Sequence, residues 1–143
     1  DDSAKSFTVT GTDVNGDAQT ESITGANDGT ATGTSYFLTI SGISAVGNPA
    51  GNVSAGVNAS AADVIFSGRS RLRGVGLTST GTAGNIDFLN TSPSGTSIMK
   101  VSSVGSATST RDLKIPDEGV LFTSGIYIQY TVSTFLTLTA FHA

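Results

Sequence analysis

"SFTVTGTDVNGDAQTESITG", Ser6 to Gly25, decides the fold class. Phe7 and Val9 fall on one face of an extended segment, because strand side chains alternate with a period of two. Asn15-Gly16 then gives the strongest short hairpin signal, a type I′ turn, in which both central residues need φ > 0. A polar return strand ends at Ile23. Working outward, residues 25–34 (GANDGTATGT) read as a loop with a second turn cue at Asp28-Gly29. Residues 35–47 (SYFLTISGISAVG) read as the best strand of this half, with Phe37 in a β-branched run. Pro49-Ala50-Gly51 breaks the chain, and residues 52–57 (NVSAGV) are expected to return as a strand. This pattern predicts a small immunoglobulin-like sandwich over residues 1–67, short enough that a neighbouring subunit completes some strands.

Composition agrees with an all-β reading. The chain has 143 residues and is 37% hydrophobic but only 13% charged, with 18 glycines. Thr and Ser fill the gap, and strong helix formers are scarce. Hardly any window carries apolar residues at helical spacing. There is no cysteine, which points to synthesis in a reducing compartment or to stability gained by assembly. No apolar run approaches the length of a membrane span, so no membrane partner is expected. No signal peptide is visible, and the first residue is not Met, which points to a processed or trimmed start.

The net charge of −4 is unevenly spread. Residues 1–68 carry one lysine against seven acids, and residues 69–143 carry six basic groups against four acids. An acidic half joined to a mildly basic half implies two modules. It also argues against nucleic acid as a partner, which calls for a clear basic excess.

The second half reads as strands near 69–78, 85–90, 97–102, 110–115, 120–122, 125–132 and 135–142, separated by Gly-, Ser- and Pro-rich turns. Pro116 suits a strand end. Short strands at this spacing predict a second, jelly-roll-like sandwich over residues 68–143. Residues 60–68 (SAADVIFSG) are too apolar at Val64, Ile65 and Phe66 for a free linker, and are expected to pack as a strand or tether. In residues 135–142 both alternating sets hold bulky apolar groups, so both faces of that strand are expected to be covered.

Three of the four arginines stand at Arg69, Arg71 and Arg73. As a strand they share one face, with Leu72 opposite. One reading is a solvated face or an edge protected by charge. The other is an interface, since Arg pairs bidentately with carboxylates and is enriched at contact surfaces. An acidic first half or an acidic neighbour is the natural partner. No aromatic interleaving supports a nucleic-acid backbone there.

Other motifs carry less. Asp13, Asn15 and Asp17 open like a calcium loop, but position six is Ala18 and position twelve is Thr24, and the hairpin already accounts for Asn15-Gly16. Asp117-Glu118 fits a solvated turn better than a glycosidase pair. His142 is the only histidine, which excludes a Cys–His dyad and a multi-histidine zinc site. No G-x-S-x-G elbow is present. No catalytic residue, cofactor or metal is therefore expected. Asn52, Asn58 and Asn90 begin sequons that arise by chance in a Ser/Thr-rich chain. Tyr36, Tyr127 and Tyr130 are candidates for a sugar platform, with core or interface packing the favoured alternative.

Residues 6–25 resemble repeat-like β modules in structural proteins of tailed bacteriophages, especially marine ones. Residues 67–90 (SGRSRLRGVGLTSTGTAGNIDFLN) with 115–131 (IPDEGVLFTSGIYIQYT) are similar to a small protein encoded among phage virion genes. The resemblance covers most of the chain, brings no active-site residues, and implies a component of the virion. The expectation is a non-enzymatic capsid decoration or cement protein, a homo-oligomer (dimer or trimer) bound to the major capsid protein or other virion proteins. Symmetric assembly would stabilise such a building block. The alternative is a receptor- or glycan-binding module of a tail fibre or adhesin, which predicts an exposed aromatic patch.

Overall fold

The computed structural model describes residues 1–56 and 60–143. The described residues form eleven strands and no helix, as the composition requires. They divide into two compact units, Asp1–Asn58 and Ala59–Ala143.

The first unit is one antiparallel sheet of β1 (Ser6–Thr12), β2 (Ala18–Thr24) and β3 (Thr39–Ala45), with β1 in the centre. The β1–β2 hairpin falls where the sequence places it, but its turn differs. Gly16 alone takes positive φ, at 88°. Gly16 N donates to Asp13 O at 3.0 Å, and Asp13 N donates to Asp17 O at 2.8 Å. This is a three-residue loop closed by a glycine bulge. The Asp13 carboxylate accepts the amides of Asn15 (2.8 Å) and Asp17 (3.0 Å). Partial desolvation raises its pKa, but these amides and that of Gly16 outweigh it and hold the carboxyl below its ordinary value. The Asp13 carboxylate is thus the staple of a turn.

The all-β, antiparallel, sandwich-like reading holds, and the first unit differs from it in detail. Residues 52–56 make no return strand, and Val57 lies outside the described residues. Without it the described part of this unit has one sheet, where a sandwich needs two. Among the described residues of this unit, Val9 and Val14 are the only buried hydrophobic side chains.

The second unit holds two sheets. One has the order β4 (Ser60–Phe66), β10 (Ile126–Thr131), β6 (Gly84–Asn90), β7 (Thr96–Ser103). The other has β11 (Phe135–His142), β5 (Ser70–Ser79), β8 (Ser109–Lys114), with β9 (Val120–Phe122) also on β5. Residues 60–66 pair with β10 and so belong to the second unit. Leu72, Val75 and Leu77 of β5 pack with Ile86, Phe88, Val101, Phe122, Ile126 and Ile128 as one core drawn from both sheets.

The second unit has its two antiparallel sheets as expected, with one difference in the lanes. β8 pairs with Gly74–Ser79 and β9 with Ser70–Leu72, along the same edge of β5. Residues 115–119 bulge out between them, where Pro116 cannot donate to a ladder. Eight strands therefore occupy seven lanes, four in one sheet and three in the other, rather than four and four.

Asn90 fixes one corner of this unit. Its Oδ1 accepts the amides of Thr123 and Ser124, both at 3.1 Å, and its Nδ2 donates to Thr123 Oγ1 at 2.8 Å. The Asn90 sequon is thus a structural position. Asn52 is exposed in its loop, and Asn58 lies outside the described residues. Replacing Asn90 with Ala is expected to cost about 1 kcal/mol, because water can reach the two freed amides. Urea denaturation of the variant checks this, and an unchanged midpoint would show that the corner needs no pin.

Candidate interaction surface

The arginine segment lies on β5, and its geometry follows from a break in the alternation. Ser70 and Leu72 are buried, then Val75, Leu77 and Ser79, with Gly74 also buried, under the Phe141 ring. The inward set changes parity between Leu72 and Val75, so one extra residue must enter the strand. The pairing with β11 shows it: Gly74 faces Phe141 and Leu72 faces His142, leaving Arg73 over. Such a bulge places Arg73 and Gly74 on the same, outward side. Arg71 reaches that side by alternation, while Arg69 precedes the strand.

β5 is paired on both sides, by β11 and by β8 and β9. Charge that protects a free edge is therefore not the reason for the arginines. Arg71 lies half-buried, with NH2 3.3 Å from Glu118 Oε2 and NH1 donating to Gly119 O at 3.4 Å. Its carboxylate is in the Pro116–Gly119 turn of the same unit, not in the acidic first half. Glu118 is largely exposed, so the pair contributes little to stability. Arg69 and Arg73 are exposed and make no ion pair or side-chain hydrogen bond among the described residues.

Beyond the bulge the outward side of this sheet is flat. Cross-strand partners put Phe141, Gly74 and Lys114 in one row, Thr139, Gly76 and Asp112 in the next, and Thr137, Thr78 and Thr110 in the third. The hydroxyls of Thr78 and Thr110 lie 3.2 Å apart. Gly74 is a close-approach position: a Cβ there would meet the Phe141 ring at 3.4 Å and Leu113 O at 3.1 Å. Gly74 is buried with the Phe141 ring against it, Gly76 in the next row is partly covered, and Phe141 itself is 58% exposed. Arg73 stands at the same end.

No family model, curated protein or solved structure matches the chain. The reading of this surface accordingly rests on its own geometry.

The other sequence candidates do not join it as a site. His142 Nδ1 is 3.4 Å from Ser70 Oγ, but Ser70 is buried and also donates to Ala143 O at 3.0 Å. The His142 ring lies against Phe66 with centroids 4.9 Å apart. Together these contacts pin the end of β11 to β5 and β4. Tyr127 is buried and Tyr130 packs against the core, so these two rings form no exposed sugar platform, and Tyr36 lies half-buried in the other unit. Among the described residues no three His, Cys, Asp or Glu side chains cluster to hold a metal.

Gly74, Gly76, Lys114 and Phe141 are the members that reading residues in isolation misses. The signal for the glycines was present: "GVGL" repeats small–large alternation, which marks one crowded and one open face. Lys114 and Phe141 needed the pairing register, which no local pattern encodes.

Proposed function

We propose that this chain is a non-enzymatic structural protein of a tailed-phage particle, acting as a capsid decoration or cement protein. The observation that carries this is the flat outer face of the β11–β5–β8 sheet, with exposed Phe141 at one side and unpaired Arg73 and Lys114 at its end. An exposed aromatic anchor beside cations suits a second protein surface that presents carboxylates. Aromatic and arginine side chains dominate contact energetics at such surfaces. The partner is the major capsid protein or another subunit of the particle. The bound, repeated state then adds stability to a chain whose own core is modest.

The triple replacement of Arg69, Arg71 and Arg73 with Ala tests this. Binding to particles is expected to fall at least about tenfold, while the isolated fold stays intact, since the only ion pair lost is a solvated one. Unchanged particle binding overturns the interface. Quantitative mass spectrometry of purified particles tests the location. On the order of hundreds of copies fits an icosahedral shell, and about a dozen or fewer places the chain at a vertex or tail.

A further inference from the structure

We propose that residues 46–56 form a strap across the apolar side of the first unit's sheet, and that the hydrogen bond from Ala50 N to Asp2 Oδ1 is its latch. The apolar side is set by register: Phe7 lies opposite Ile23 and Ala45, and Val9 opposite Ile43. Pro49 and Val53 of the strap sit with Phe7, Ile43 and Ala45 around a cavity of about 210 Å³. The strap therefore borders this side without closing it. It is not a strand, and every residue in it is exposed. Val46 N still donates to Ser6 O at 3.0 Å, so the strap leaves the sheet from a fixed point. Past that point, among the described residues, the Asp2–Ala50 bond at 2.9 Å is the hydrogen bond that holds it.

The two sides of the latch differ in firmness. Asp2 belongs to a knot at the base of the hairpin. Its Oδ1 accepts Lys5 Nζ at 2.6 Å, its carbonyl accepts Lys5 N at 2.9 Å, and Lys5 O accepts Gly25 N at 2.9 Å. Gly25 is packed so closely that a Cβ would run into Asp2 O, with the Phe7 ring at 2.8 Å. The Lys5 bond and then the Ala50 amide hold the Asp2 carboxyl below its ordinary value, so it is ionised and accepts both donors at neutral pH. The keeper is thus fixed to the sheet, while the strap is held through one backbone amide. Breaking that bond frees residues 47–56 to swing away and uncovers the half-buried Phe7, while Ile43 and Ala45 are already exposed, without disturbing the β1–β2 or β1–β3 ladders. This inference stands apart from the assignment to a particle, because its test needs none.

The test uses the full chain with Asp2→Ala and Asp2→Asn, read by hydrogen exchange and limited proteolysis. In Asp2→Ala, exchange at Ala50 and cleavage within 46–56 are expected to rise about tenfold or more, the usual scale for losing a bond to a charged acceptor. Amides of β1 and β3 keep their protection. Asp2→Asn retains an acceptor for Ala50 and is expected to restore most of the strap's protection. Unchanged exchange and cleavage in Asp2→Ala overturn the latch. Equal loss of protection in 46–56 and in β1–β3 also overturns it, because Asp2 then staples the whole unit.

Discussion

Phe122→Ala is expected to destabilise the second unit by about 3–5 kcal/mol, the usual range for truncating a fully buried Phe. That is a large part of the total stability of a small domain. Phe122 has no exposed surface and belongs to the core cluster with Leu72, Phe88 and Ile126. It is the last residue of a three-residue strand, paired with Ser70. β9 has few backbone bonds of its own, so the ring is what holds this lane against the core. Losing it opens a cavity and frees the end of the lane beside the arginines. Hydrogen exchange in urea checks the prediction. Amides of β5, β6 and β10 should lose protection together, while those of β1 keep theirs. A shift well under about 1 kcal/mol would mean that Phe122 is not a core member.

The same segment shows how much a sequence discloses. The strands of the second half lie within a residue or two of where alternation and turn residues put them, because each is a short apolar run between strong breakers. The hairpin at Asp13–Asp17 was equally legible. Turn type was not: Asn15-Gly16 satisfies a two-residue and a three-residue loop alike, and the Asp13 carboxylate selects the longer one. Lane assignment was hidden for a different reason. Two strands along one edge of β5 look locally like two ordinary strands, and only the long-range pairing separates them. The second sheet of the first unit was predicted from residues 52–57, where Val53 and Val57 alone suggest a strand. With Pro49 and Gly51 before it and Gly56 within it, the described part folds back as a strap. For the arginines, the shared face was right for Arg71 and Arg73, but the bulge between Leu72 and Val75 shows only as a parity change in burial.

That parity change links fold to function. Without the bulge, a strand that buries Leu72 would point Val75 outward and Gly74 and Gly76 inward. The extra residue at Arg73 corrects this, putting Val75 and Leu77 in the core and the glycines under the outer face. One inserted residue therefore completes the core, flattens the surface and brings a cation to its end. Bulges are used in this way to re-aim side chains near functional surfaces.

Gly11→Ala is expected to unfold the first unit and leave the second intact. Gly11 lies in the interior of central strand β1, at the point where the β1–β3 register slips between Thr10 and Gly11. A Cβ there would run into the carbonyl oxygen of Thr39, with Thr39 C at 2.9 Å and Ile40 Cα at 3.0 Å. All three are backbone atoms, so no rotamer change relieves the clash. β3 must move away, which breaks its ladder to β1. Overpacking of this kind costs about 1–3 kcal/mol. In a unit where, among the described residues, Val9 and Val14 are the only buried hydrophobic side chains, that is comparable to the whole stability available. Hydrogen exchange should show β1, β2 and β3 losing protection together while β5, β6 and β10 are unchanged. The two replacements thus act on opposite units: Phe122→Ala spares β1, and Gly11→Ala spares β5. If either variant instead melts both units at one midpoint, the independence of the two units is overturned.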